Sequence, residues 1–495
     1  MPKQVVLIMV DTQSKWMLDA YGEKRGFPLK NLRRLAEGAA IFNNGYCVTP
    51  TCGPARSSIF TGQYPSTNEM IANAAQLGKD IKNAGERISE QGIQCGYIGK
   101  WHLDGGDYFG KGYPAEGYDP KCWYDMRNYV DELGDAEVRK QSRRNMGQIL
   151  FGDIKEEDTY AYRVTQRALQ YIEEKKDEDF FLTVSFDEPH DPSQCPKSYV
   201  KMLKESGYKL EDQPNTNASH EGKPETQELW SKAFKIPWPM LKKGFQTGFI
   251  PCNLFVDECI GRVLDKIGQE LDNPMIIYTA DHGDMMKAHG LMAKGPCMYQ
   301  EIINVPYIIK GGPFMNRNID TPVSHVDLLP TIMEYLGLEI PRMLEGESLY
   351  KLSGDHERRD VYMQFHRFEN AVDGYLGLQL IRSIFDGRYK LNINLFTIDE
   401  LYDLQEDPYE MKNLINDDSY ASIRDGLHDK ILKKQGEIVD PYRGYVWGVR
   451  PFRKDKKMSF KCEGMTRERW EENEVKLDYA TGNPVESAVR VKGMK

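Results

Sequence analysis

Residues 5–10 read Val-Val-Leu-Ile-Met-Val, an unbroken aliphatic run that stops at Asp11. A strand with no polar residue on either side must be covered on both faces, as in a parallel sheet layered between helices. The pattern recurs twice: residues 275–279 lead into Ala280-Asp281-His282-Gly283, and residues 180–186 lead into Asp187-Glu188-Pro189-His190. In open α/β sheets ligands bind beyond the carboxyl ends of the strands, so three such endings predict one convergent polar site.

Amphipathic stretches at 158–175 and 255–271 alternate with these strands, the pattern of a layered α/β domain. At 495 residues the chain has room for a second unit. From about residue 354 the text shortens into strand-like pieces (361–365, 379–383, 389–394) followed by a helix around 422–435. We therefore divide the chain into a catalytic domain (1–353), a small α+β domain (354–440) and a charged tail (441–495) read as a packing arm or a homo-oligomer contact. Residues 205–245 read as a long irregular surface excursion.

The net charge of −10 and the absence of a dense Lys/Arg cluster exclude a nucleic-acid groove. Only six apolar residues precede Asp11, too few for a secretory core, and no run approaches the roughly 18 apolar residues of a membrane helix. The expectation is a cytoplasmic protein with no membrane partner. Nine scattered cysteines with no paired C-x-x-C spacing read as reduced thiols.

One of them carries the sharpest motif. Cys52-Gly53-Pro54-Ala55-Arg56 continues to Thr61-Gly62, a C-x-P-x-R-x-x-x-x-T-G signature that resembles type I sulfatases. Other motifs of that family follow in its order: Asp11, then Gly99-Lys100-Trp101-His102, Pro189-His190, Asp281-His282-Gly283 and Lys294-Gly295, with Leu401-Tyr402-Asp403-Leu404 near the end. The resemblance spans roughly residues 1–415. It implies an alkaline phosphatase-like fold: a large mixed, mostly parallel sheet flanked by helices, plus a smaller domain with an antiparallel sheet.

The resemblance further implies that Cys52 is oxidised to formylglycine by a maturation enzyme. A thiolate attacking sulfur would leave an adduct with no easy exit, whereas a hydrated aldehyde offers one hydroxyl to attack sulfur and a second to expel sulfate. It also implies a divalent cation, Ca2+ first with Mn2+ or Mg2+ open, held by Asp11, Asp281, His282 and residue 52, with Gln13 as a further oxygen. Many sulfatases carry a second Asp after the first and an Asn in the later pair; here Thr12 and His282 stand there, which weakens Ca2+. His102 is implied as the base for the second hydroxyl, with Lys100, two residues away and on the same face if they lie on a strand, steadying the oxygens. His190 would protonate the leaving oxygen, Lys294 would neutralise the sulfuryl group, Arg56 would hold the diol, and Asn73 would lie near the sulfate.

The substrate expected is small, a sulfated sugar or an aryl or steroid sulfate. Phosphonate monoester or phosphodiester hydrolysis is the rival reaction in the same superfamily, although those enzymes lack the Lys100 and His102 pair. A third reading is a sulfate-binding protein with unconverted Cys52. His325, at the start of a helix, reads as packing. His289 reads as support for the site at most, and His366 and the aromatics at 123–129 as packing that could border a substrate.

Overall fold

The computed structural model describes residues 2–23, 26–105, 108–133, 154–234, 236–353, 359–368, 376–453 and 455–456. The three apolar runs form strands Gln4–Asp11, Phe180–Pro189 and Met275–Ala280, and every residue of each is buried. They are neighbours in a seven-stranded sheet ordered Gln94–Gly99, Phe180–Pro189, Gln4–Asp11, Met275–Ala280, Tyr307–Lys310, Ala40–Phe42, Arg317–Ile319. The first four run parallel; Tyr307–Lys310 is antiparallel to both its neighbours. Alternation along the first strand sends Val6, Ile8 and Val10 into one apolar cluster and Val5, Leu7 and Met9 into the other. The sheet is thus covered on both faces, and its polar strand ends emerge at one edge.

Helices Tyr160–Lys175 and Phe249–Glu270 pack against each other on one side of the sheet. Thr159 caps the first through its hydroxyl, 3.2 Å from the Tyr162 N–H. The second starts earlier than the periodicity at 255–271 suggests, because Pro251 falls in its first turn, where its missing N–H costs nothing. The excursion at 205–245 is less irregular than expected: it contains helices Glu225–Ala233 and Trp238–Thr247. Prolines just before each helix, Pro224 and Pro237, mark the starts that composition alone obscured.

Strand Gln94–Gly99 ends on a residue that must be glycine. Gly99 has φ 123°, and a Cβ there would lie 1.9 Å from the Ser185 carbonyl oxygen of the adjacent strand. Gly99→Ala is expected to cost about 2 kcal/mol or more and to lower the melting temperature measurably, since neither backbone can yield.

The smaller sheet is antiparallel, ordered Val361–Arg367, Leu378–Phe385, Tyr389–Asn394, Glu400–Asp403. Helix Ala421–Glu437 covers it, setting Leu427 and Ile431 among Leu391, Ile393 and Leu401. The beginning of the charged tail packs on this unit: Trp447 is fully buried in its apolar cluster and donates to the Tyr442 carbonyl at 2.7 Å, next to Asp440, the last residue of the small domain, which pairs with the buried Arg382 at 2.6 Å. The tail beyond residue 456, read as an oligomer contact, and the 353/354 boundary lie outside the described residues or at their edge. Among the described residues no helix is long and apolar enough to cross a membrane.

Candidate active site

The edge where the strands end gathers most of the residues expected there. Asp11 and Asp281 terminate adjacent strands, and Cys52 opens the helix Cys52–Thr61 at the same place. Cys52 Sγ lies 2.9 Å from Lys294 Nζ, 3.2 Å from His282 Nε2 and 3.9 Å from Asp11 Oδ1. A helix N-terminus and nearby cations stabilise an anion at this atom. Burial and the Asp11 charge oppose ionisation of the thiol, but Lys294, Lys100 and His282 outweigh them and hold it well below the usual range.

One potential ligand atom from each of Asp11, Cys52, Asp281 and His282 lies within 4.8 Å of all the others, and all four residues are buried. Burial first, then the charge of Asp11, pushes the Asp281 carboxyl up to about 6. Two buried carboxylates beside one imidazole form a donor set that fits a divalent cation, whose charge would relieve that strain. Gln13 does not join them. Its amide is taken up by Tyr278, whose hydroxyl donates to Oε1 at 2.5 Å, and by Asn253, to which Nε2 donates at 2.8 Å. Thr12 instead faces the pair, its hydroxyl donating to Asp11 at 2.7 Å and its N–H to Asp281 at 3.2 Å. Its φ of 73° places both donors there at a cost in backbone energy.

Arg56 follows Cys52 by one helical turn, as the spacing predicts, but it does not bond to residue 52. Its donors go to Asp281 at 2.9 Å, Asp11 at 3.4 Å, the Lys100 carbonyl at 2.7 Å and Ser185 at 2.8 Å. Fully buried, it fixes the two carboxylates. Asn73 is nearby, accepting from the Gly53 N–H at 2.9 Å and so capping the nucleophile helix.

Lys100 and His102 do not lie on a strand. The strand stops at Gly99, and His102 has φ 61°, so the same-face expectation fails for want of extended backbone. Both residues still reach the site. Lys100 Nζ bridges Asp11 at 2.7 Å and Asp187 at 2.9 Å. His102 faces Cys52, and burial lowers its pKa, which keeps the imidazole neutral. Its Nδ1 has no hydrogen-bond partner among the described residues.

On the opposite side His190 Nε2 lies 3.0 Å from Lys294 Nζ, and its Nδ1 lies 2.9 Å from the Asp191 carbonyl. Lys294 therefore touches both Cys52 and His190. Motif reading missed the roles of Asp187 and Tyr108. The first could have been found by the same strand-end rule that picked Asp11; the second, inside an irregular loop, carries no spacing signal.

Lys294 and His282 are the two ends of a hairpin, closed by Met285 N–H to Ala293 at 2.8 Å and Lys287 N–H to Leu291 at 2.9 Å. Its tip, His289, stacks on Tyr299 at 3.9 Å and accepts from Lys223 at 2.9 Å; Lys223 also donates to the Glu410 carbonyl of the small domain at 2.7 Å. Burial and then Lys223 depress the His289 pKa to about 2, so it is a neutral brace. His325 lies buried beside Thr279, and His366 is tied to Arg382 within the small domain, as packing residues should be. Trp123 stacks on Tyr97, and Tyr124 and Tyr129 are buried.

Comparisons to known proteins identify the family. The sulfatase family model matches residues 3–338, and the model described as N-sulphoglucosamine sulphohydrolase, C-terminal, matches 288–437. The uncharacterized sulfatase YidJ of Escherichia coli (strain K12) is 37% identical over 99% of this chain and 98% of its own length. Among solved structures, one bound to its substrate D-glucosamine-2-N,6-O-disulfate superposes with TM-score 0.72 at 19% identity, covering 89% of this chain and 99% of that one. The phosphonate monoester hydrolase of Agrobacterium radiobacter gives TM-score 0.74 at 21% identity, covering 90% and 97%. The fold is alkaline phosphatase-like, and the chain belongs to the sulfatase family.

Proposed function

We propose that this sulfatase hydrolyses monoesters of small sulfated molecules, sulfated sugars foremost, using residue 52 as formylglycine and one divalent cation. The observation that carries this reading is the position of Cys52 Sγ, shared between the ligand cluster of Asp11, Asp281 and His282 and the proton-handling side of Lys294 and His190. Formylglycine would supply a hydrated aldehyde, and the cation, Ca2+, Mn2+ or Mg2+, would polarise the sulfate oxygens. Lys294 neutralises charge on the transferring group, and His190 presents Nε2 to the leaving oxygen. His102, neutral and against residue 52, would be the base for the second hydroxyl of that hydrate. Lys100 and Arg56 hold the carboxylates in place. The partners implied are the small substrate and a formylglycine-generating enzyme, and the location proposed is the cytoplasm.

The likeness to a phosphonate monoester hydrolase keeps one rival reaction in view. A sulfate monoester and a phosphonate monoester both carry a single negative charge, so the choice falls to the Lys100–His102 pair, which is the sulfatase arrangement. Turnover of 4-nitrophenyl sulfate by matured enzyme is expected to exceed that of a phenylphosphonate ester by about 10²-fold or more in kcat/KM. The reverse order would assign the chain to the phosphonate reaction.

A further inference from the structure

Tyr108 is in contact with three of the groups given roles above, although it belongs to no motif. Its hydroxyl lies 2.5 Å from Asp187 Oδ1 and 3.1 Å from His190 Nδ1. Its ring lies under Lys100, whose Nζ is 4.1 Å from the centroid, and packs against the rings of His102 and His190 at 5.5 and 5.4 Å.

Proton bookkeeping gives these contacts a direction. Asp187, ion-paired with Lys100, can only accept, so the single hydroxyl proton of Tyr108 goes to it. Toward His190 the phenolic oxygen is then an acceptor, as are the carbonyl of Asp191 at 2.9 Å and its carboxylate at 3.0 Å. Three acceptors around Nδ1 keep a proton there in either charge state of the ring, so the proton that His190 can give up is the one carried on Nε2, the nitrogen turned to Lys294 and the reacting centre. The contacts form a closed circuit from Cys52 through Lys294, His190, Tyr108, Asp187, Lys100 and Asp11 back to Cys52.

We propose that Tyr108 is a positioning residue that fixes the tautomer and plane of His190 through its hydroxyl, and holds Lys100 and His102 through its ring. This rests on the reading of His190 as the group that protonates the leaving oxygen. No step is added to the reaction: Tyr108 neither gains nor loses a proton.

The test compares two substrates, 4-nitrophenyl sulfate, whose phenolate departs without a proton, and a 6-O-sulfated glucosamine, whose alkoxide does not. Tyr108→Phe keeps the ring and removes the hydroxyl. It is expected to lower kcat on the sugar sulfate by roughly 10- to 100-fold, with KM little changed, and to lower kcat on the aryl sulfate by no more than about 3-fold. Tyr108→Leu removes the ring as well and should reduce both. His190→Ala, run in parallel, reports on the underlying reading. If His190→Ala is selective for the sugar sulfate and Tyr108→Phe is not, the proposal for Tyr108 fails while the role of His190 stands. If His190→Ala hits both substrates equally, both fall together. Melting temperatures of the phenylalanine variant within about two degrees of the parent would exclude a merely structural effect; a large drop with equal losses on both substrates would overturn the proposal.

Discussion

Cys52→Ala is expected to abolish sulfate-ester hydrolysis, with kcat/KM down by about 10⁴-fold or more. The residue is 1% exposed and in contact with Lys294 and His282, so nothing else in the cluster is placed to attack sulfur in its stead. Cys52→Ser separates nucleophile from hydrate. A serine hydroxyl can take the sulfuryl group, but without a second hydroxyl on the same carbon it cannot expel sulfate. One equivalent of alcohol should therefore be released in a burst, leaving protein heavier by the sulfuryl group in a mass spectrum. In parental protein from a host with the maturation enzyme, the peptide containing residue 52 should carry the aldehyde mass. Parental turnover by the alanine variant would end this account.

Stripping the matured enzyme with a chelator should cost at least about 10³-fold in kcat/KM, and one divalent cation should restore it. Because the cluster contains an imidazole where many sulfatases place an amide oxygen, replacing His282 tests the choice of ion. His282→Asn exchanges nitrogen for oxygen, and the cation concentration giving half-recovery should shift toward Ca2+ relative to Mn2+ by roughly tenfold. Metal analysis of the native protein, taken with the recovery curves, identifies the ion. Undiminished turnover after complete metal removal is the result that would refute a cation at Asp11, Asp281 and His282.

The strand-end logic carried most of the site, because a residue that stops a doubly buried strand has one place to go. Asp11, Asp281 and His190 were legible for that reason, and so was the parallel sheet, whereas Cys52 and the antiparallel sheet of the small domain came from the motif resemblance. What failed depended on local backbone. The Gln13 amide is turned to Tyr278 and Asn253, and the left-handed turn at Thr12 directs that residue's hydroxyl to Asp11. Lys100 and His102 reached the site from a loop rather than a strand, which no alternation pattern reports. Arg56 was found by helical spacing, yet its partners are carboxylates whose positions only the assembled sheet defines. Tyr108 was invisible because its importance comes from four neighbours on two other segments, the loop at Lys100 and His102 and the strand end at Asp187 and His190.

The hairpin between His282 and Lys294 leans on Lys223 and, through it, on the backbone of Glu410. A chain cut short before Glu400 would keep every strand of the large sheet and every residue of the active-site cluster, from Asp11 to Lys294. It would nonetheless lose the outer support of the loop that carries two of them. The C-terminal unit thus acts as scaffolding for chemistry performed elsewhere, and truncations there should read out first as misplaced lysine and histidine, long before the large sheet itself unravels.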